Sequence, residues 1–363
     1  MEIASLIASF AVGLVTALVA TPCVARLARA TGIVDRPNER KVNVRPNMPL
    51  LGGLAVALGF FVALAIGALL ADTALPLRGH MEGLLFGSVL LLLLGVWDDR
   101  VGLAAAPKFA VQVAAALIAI AYGFRLEYLT NPVSGDTFYF PTWLVWLVTA
   151  LWIVGVTNAM NLIDGLDGLA AGVGAIIAAT LTVVCWQAGH VLGVVIGVAL
   201  VGSLLGFLPF NFWPARIFLG DTGALYLGYS LALLSLESYR QATVLTFLVP
   251  LLALAVPILD TGLSILRRLR GHAGVFHADK QHMHHRLLEV EGSQRGAVLS
   301  LYFLTSCFCV IAMSFTKLEG WVALVFLFAV VLLTIRLLRN LGFVTAGRTA
   351  APGGRAPRVN KEA

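Results

Sequence analysis

Residues 143–186 read WLVWLVTALWIVGVTNAMNLIDGLDGLAAGVGAIIAATLTVVCW. Two apolar runs, Trp143 to Val156 and Leu169 to Trp186, flank a stretch crowded with amides and carboxylates, Asn158 to Gly168. As a helix, each run approaches the thickness of a bilayer, and carboxylates this close to hydrocarbon are costly enough that they normally carry a function. A plainer role is also open, because Gly lets the backbone turn sharply and Asp can cap a helix beginning near Leu169. A cap alone, however, does not require the two asparagines Asn158 and Asn161 that come first.

The rest of the chain is of the same kind. Its 363 residues are 59% hydrophobic and 12% charged, with a mean hydropathy of +0.91. A soluble domain of that composition would expose large apolar patches. The sequence therefore predicts an all-α, polytopic integral membrane protein with about eleven transmembrane helices. Their apolar cores are Ile3 to Val24, Leu50 to Ala71, Leu84 to Trp97, Phe109 to Tyr122, Trp143 to Val156, Leu169 to Trp186, Val191 to Leu208, Ala224 to Leu236, Ala242 to Ile265, Ala297 to Phe315 and Trp321 to Ile335. Glu2 stands where a signal peptide carries basic residues, so the first run reads as a retained membrane helix. Residues 1–345 read as one membrane domain, and 346–363, rich in Gly, Pro and Arg, as a disordered basic tail touching anionic lipid. Cys23, Cys185, Cys307 and Cys309 lie in or beside apolar runs without metal-ligand or redox spacing, and read as packing.

The net charge of +6 could suggest nucleic acid, but the positions of the charges point to topology instead. All but four of the 25 Lys and Arg fall in the odd-numbered connections or the tail, the exceptions being Arg78, Arg125, Arg240 and Lys317. By the positive-inside rule the N-terminus is outside, and the odd connections and C-terminus are cytoplasmic. The same partition puts Asp98 and Asp99, Asn158 to Asp167, Asp221 and a histidine-rich loop on one face.

Each of these groups has a chemical reading beside a structural one. Trp97-Asp98-Asp99-Arg100 is either a solvated helix end or a paired-acid site for a hard cation or a proton. In Phe218-Leu219-Gly220-Asp221-Thr222-Gly223 the acid is either an N-cap or a metal ligand beside glycines that admit a pyrophosphate. Arg267 to Glu289 holds His272, His277, His282, His284 and His285 among Arg and Lys. It reads as a phosphate-binding cluster or as a basic interfacial loop. The spacing of His282, His284 and His285 spreads them around a helix, and no cysteine accompanies them, which disfavours zinc. Asp260 falls inside an apolar run, so it is a functional or ion-pair candidate. No Walker or dinucleotide glycine motif is present.

VDRPNERKVNVRPNMPLLGG, WDDR, NAMNLIDGLDGLA, FLGDTG, PILDT and HADKQHMHHRLLE, in this order from about Val34 to Leu288, resemble the polyprenyl-phosphate N-acetylhexosamine-1-phosphate transferase family. The resemblance implies transfer of a sugar 1-phosphate from a UDP-sugar to undecaprenyl (polyprenyl) phosphate, with release of UMP. This would occur at the cytoplasmic face of a bacterial inner membrane and initiate a cell-envelope polysaccharide. It implies Mg²⁺, or Mn²⁺ in its place, held by Asn161 and Asp221, and catalytic roles for Asp98, Asp99, His282, His284 and His285. Lys41, Asn158, Asp164, Asp167, Lys280 and Arg286 fall at substrate-binding positions. The third acid frequent after the Asp pair is Gly102 here, and Asn43 stands where the family often has His. The His-x-His-His pattern favours UDP-N-acetylglucosamine as donor, with phospho-N-acetylmuramoyl-pentapeptide transfer as the alternative. A lipid or nucleotide-sugar transporter is the rival from another class. The expected partners are therefore the UDP-sugar, the polyprenyl phosphate and membrane lipid, without nucleic acid, and a homodimer is left open. The acceptor, a phosphate monoester with a second pKa of about 6, is already a dianion at neutral pH and is expected to attack the donor directly.

Overall fold

The computed structural model describes residues 3–35, 47–70, 78–131, 134, 136–238, 244–270, 282–316 and 320–340. Lys41, Lys280 and the tail expected over 346–363 lie outside the described residues. In chain order the elements are α1 (Ile3–Ala30), β1 (Val34–Asp35), β2 (Met48–Pro49), α2 (Gly52–Leu70), α3 (Arg78–Val101) and α4 (Ala105–Ala121). There follow β3 (Tyr128–Thr130), β4 (Thr137–Tyr139), α5 (Thr142–Ile163), α6 (Leu169–Gln187), α7 (Val191–Asn211) and α8 (Gly220–Ser238). The last are α9 (Val244–Ala253), α10 (Ala255–Arg270), α11 (Met283–Glu291), α12 (Gln294–Phe315) and α13 (Gly320–Asn340). β1 pairs antiparallel with β2, and β3 with β4. Among the described residues, six helices are long and apolar enough to cross a membrane, namely α1, α3, α5, α6, α7 and α12, with shorter apolar helices beside them. The protein is an all-α membrane protein.

Among the described residues, those from Trp321 to Asn340 form one unit and those up to Gly320 another. Within the larger unit the helices approach closely because small residues remove side chains from their contacts. A Cβ on Gly206 would lie 2.2 Å from the Leu14 carbonyl oxygen, and one on Gly202 would lie 2.5 Å from that of Phe10, so α7 and α1 meet backbone to backbone. Helix α8 is apolar on all sides, and every residue in it except Asp221 is buried. Such a helix belongs in the middle of a bundle. Its first turn is gripped by α2 and α3, since a Cβ on Gly53 would sit 2.2 Å from Gly223 Cα and one on Gly95 2.3 Å from Thr222 Cα. These glycines fix the place of the one uncovered residue, Asp221.

The apolar run from Ala242 to Ile265 is not a single helix. It divides between α9 and α10 around Leu254. Pro257 has no N–H to give the Ala253 carbonyl four residues back, and its ring crowds that oxygen. Cys309 Sγ of α12 lies 4.0 Å from the carbonyl instead. Helix α11 is likewise additional to the apolar runs. It is polar, nine residues long, and ends at Gly292 in the left-handed conformation, φ 63°.

Candidate active site

Four helix ends and one short helix close around a cavity of about 850 Å³. Asp98 and Asp99 come from the end of α3, and Lys108 from the first turns of α4. Asp164, Gly165 and Asp167 come from the turn after α5, Gly220 and Asp221 from the start of α8, and His284 and His285 from α11. The residues that the sequence spreads over nearly two hundred positions thus share one cavity.

The adjacent acids of α3 do different things. Asp99 Oδ1 accepts the backbone N–H of Asp221 at 2.9 Å, and its Oδ2 accepts the Thr222 N–H at 3.1 Å and the Thr222 hydroxyl at 2.6 Å. Asp99 therefore caps α8 from a neighbouring helix, satisfying donors that a helix start leaves free and facing the positive end of its dipole. Gly220 has φ +72°, and a Cβ there would lie 2.6 Å from Asp99 Oδ2, so glycine is required on both counts. The acid placed to be an N-cap in the FLGDTG sequence, Asp221, is not the cap. Asp98 is buried rather than a solvated helix end. Its Oδ1 accepts the Leu103 N–H at 2.7 Å, and its Oδ2 accepts from Lys108 Nζ at 2.6 Å.

Lys108 Nζ also stands 3.6 Å from Asp221 Oδ2, so a single ammonium bridges two carboxylates. Sequence reasoning counted Lys108 only as a topological charge. Its signal was available, since a lone Lys at the start of an apolar helix is costly without partners. Asp221 Oδ1 accepts from Asn161 Nδ2 at 2.6 Å, which joins the two expected metal ligands directly. Asp164, half-buried just beyond α5, has its carboxyl pushed well above the usual carboxylate range, first by burial and then by the nearby charges of Asp221, Asp99 and Asp167.

Of the remaining expected site residues, Asp167 lines the cavity, and Asn158, His282 and Arg286 lie off it. Asn158 turns from the cavity and donates to Gln112 Oε1 of α4 and to the Val154 carbonyl. Asp167 lines the cavity, but its Oδ2 accepts the Ala215 N–H at 2.9 Å and so ties the α7–α8 loop to the α5–α6 turn. It does not cap α6, whose N-cap is Gly168 at φ 80° with no side-chain bond. His282 and Arg286 are not among the residues lining the cavity. His284 and His285 do line it. His284 is 3% exposed, with Nδ1 buried and unpartnered among the described residues. Burial above all, with the neighbouring His285 next, lowers its pKa to about 3, so without a ligand it is a neutral imidazole rather than the cation expected of a phosphate-binding cluster. Gly165 lets it in, because a Cβ there would stand 2.4 Å from His284 Nε2.

The profile of "Glycosyl transferase family 4" matches residues 81–239, which hold both α3 acids, Lys108, the Asn-Asp turn and Asp221. The chain is also 37% identical over 328 residues to the "Probable undecaprenyl-phosphate N-acetylglucosaminyl 1-phosphate transferase" of Bacillus subtilis, covering 90% of this chain and 89% of that one. The chain belongs to glycosyl transferase family 4. This family 4 chain is 38% identical over 325 residues to the "Decaprenyl-phosphate N-acetylglucosaminephosphotransferase" of Mycobacterium tuberculosis, covering 80% of this chain and 78% of the relative. To the "Phospho-N-acetylmuramoyl-pentapeptide-transferase" of Levilactobacillus brevis it is 38% identical over 210 residues, covering 54% of this chain and 64% of that relative.

Among its described residues the family 4 chain has no ready-made group of three His, Cys, Asp or Glu side chains around one point. The donor set nonetheless suits a hard divalent cation. Asp221 keeps 35% of its side chain open, Asn161 adds an amide oxygen, and Asp164 feels the negative charges of Asp221, Asp99 and Asp167. Oxygen ligands with an excess of negative charge are what Mg²⁺ takes.

Proposed function

We propose that this chain transfers N-acetylglucosamine 1-phosphate from UDP-N-acetylglucosamine to polyprenyl phosphate at the cytoplasmic face of a bacterial inner membrane, releasing UMP. The product is a lipid-linked sugar diphosphate on which an envelope polymer can be built. One observation carries the reading. Likeness at 37% identity over 90% of the chain joins it to a relative named for N-acetylglucosamine 1-phosphate transfer, against 38% over 54% or 30% over 78% for relatives named for muramoyl-pentapeptide transfer. The 11-helix topology with the N-terminus outside rests on the distribution of Lys and Arg.

The acceptor phosphate oxygen forms a bond to the donor phosphorus that carries the sugar, and the bond from that phosphorus to UMP breaks. Asp221, with Asn161 and Asp164 beside it, would hold Mg²⁺, which when bound offsets the charge of the donor diphosphate and of departing UMP. Both oxygens of Asp98 and both of Asp99 already accept bonds within the protein, which favours direct attack by the acceptor over a carboxylate nucleophile. Lys108 lowers the repulsion an incoming phosphate meets from Asp98 and Asp221. His284 and His285 offer ring nitrogens to phosphate oxygens in the same cavity.

Membrane vesicles of both orientations, supplied with UDP-sugar from outside, test the whole reading. UMP is expected from inverted vesicles with UDP-N-acetylglucosamine, and much less with the muramoyl pentapeptide donor. Release from sealed right-side-out vesicles would reverse the topology. A preference by kcat/KM for the muramoyl donor would replace the proposed substrate.

A further inference from the structure

Asp260 of α10 is 1% exposed and does not line the cavity, yet it is bonded to the element that does. Its Oδ1 accepts the backbone N–H of Met283 at 2.7 Å, and its Oδ2 lies 3.1 Å from His282 Nδ1. A carboxylate only accepts, so this pairing is made with the proton on His282 Nδ1. His282 is the N-cap of α11, with no side-chain cap bond of its own, and Met283 is the first helical residue. Asp260 thus supplies from another helix the acceptor that the start of α11 lacks.

Helix α11 needs such a fastening. With nine residues it is too short to hold its shape by its own hydrogen bonds, so tertiary contacts decide where it sits. The His282 ring stacks on that of His284, centroids 5.5 Å apart and planes 7° from parallel, and the His284 and His285 centroids are 4.4 Å apart. At the far side the His284 ring abuts Gly165. The His282 and His284 rings therefore lie stacked between a carboxylate on α10 and a glycine just after α5, with the His285 ring tilted 41° against that of His284. Of the three rings, those of His284 and His285 reach the cavity.

We infer that Asp260 is a positioning residue for the transfer: by holding the Met283 N–H and the His282 ring it sets the start of α11, and so the places of His284 and His285 at the cavity wall. His282 accordingly belongs to the support and not to the groups that touch substrate. This inference rests on the proposed transferase reading for its kinetic consequence, but not for its structural one.

The test compares purified full-length wild type with Asp260→Ala and Asp260→Asn, kinetically and by ¹⁵N NMR of histidine-labelled protein. A displacement of about 1 Å at a catalytic group can cost about 10²-fold in rate. Asp260→Ala should lose about that much in kcat per folded molecule, with KM for the UDP-sugar changed by less than about threefold. Asp260→Asn retains an oxygen for the Met283 N–H and should stay within about tenfold of wild type in kcat. In the NMR arm, wild-type His282 should be protonated on Nδ1. The Asn variant, whose amide NH₂ would face that nitrogen, should move the proton to Nε2, and the Ala variant should shift the His284 and His285 ring signals. Wild-type kcat in Asp260→Ala would overturn the inference. So would an Asn variant as inactive as the Ala variant, since the carboxylate would then be acting through its charge. Ring signals that do not respond to either substitution would overturn it whatever the activity. If wild type itself released no UMP, the proposed function would fall while the ring signals still decided the positioning. If Asp260→Ala does not fold, the Asn variant and its tautomer shift decide alone.

Discussion

Two sets of residues line the cavity: Asp98, Asp99, Asp164 and Asp221 at the ends of α3, α5 and α8, and His284 and His285 on the nine-residue α11. The acidic side is fastened many times over. Asp99 makes three hydrogen bonds to the start of α8, Lys108 bridges Asp98 and Asp221, and Gly53 and Gly95 let α2 and α3 press on the α8 backbone. The histidine side has two fastenings described above, Asp260 and the gap at Gly165. It follows a helix broken at Leu254, and α9 and α10 are both shorter than the helices that carry the acids. The difference teaches that charge is concentrated where the scaffold is stiff, because like charges must be held together against their repulsion. On the short helix, burial keeps the His284 ring neutral, and Asp260 and Gly165 set its place.

The largest effect should come from the acidic side. Asp221→Ala removes a partly open carboxylate paired with Asn161 and Lys108, and should lower kcat about 10³-fold, several kcal/mol in barrier, while the protein remains folded in detergent. Substantial turnover by that variant at saturating Mg²⁺ would take Asp221 out of the site and leave the acids as scaffold only. Next in size is a change on the histidine side that removes no catalytic side chain. Gly165→Ala puts a Cβ where His284 Nε2 stands 2.4 Å away, and the displaced ring should cost about 10²-fold in kcat with little change in melting temperature. If this variant turned over like wild type, the histidine wall would not need its observed placement. The smallest effect concerns stability. Asp99→Ala leaves the start of α8 without its cap and should cost about 1 to 2 kcal/mol in unfolding free energy, with part regained in Asp99→Asn. An unchanged unfolding midpoint in both variants would mean that the glycine contacts hold α8 without Asp99, and the contrast between the walls would weaken.

The membrane class, the approximate place of most helices and the membership of the acidic motifs in one site were legible in the sequence. Hydrophobic run length and local motif order are properties of neighbouring residues, and a bilayer imposes length directly. The break at Leu254 was also legible in principle, because Pro257 acts on the carbonyl four residues before it. What the tertiary structure alone decided is the division of labour among groups the sequence presents as alike. Asp98 and Asp99 are adjacent, yet one is paired with Lys108 and the other caps α8. His282 and His284 are two residues apart, yet one is held by Asp260 and only the other lines the cavity. Asn158 and Asn161 share a helical face, yet one bonds α4 and the other Asp221. Residue type sets which bonds a side chain can make, and spacing along a helix sets its direction only about its own axis. Which partner waits in that direction depends on helices distant in sequence, brought within bonding reach by glycine contacts whose meaning appears only when both backbones are in place.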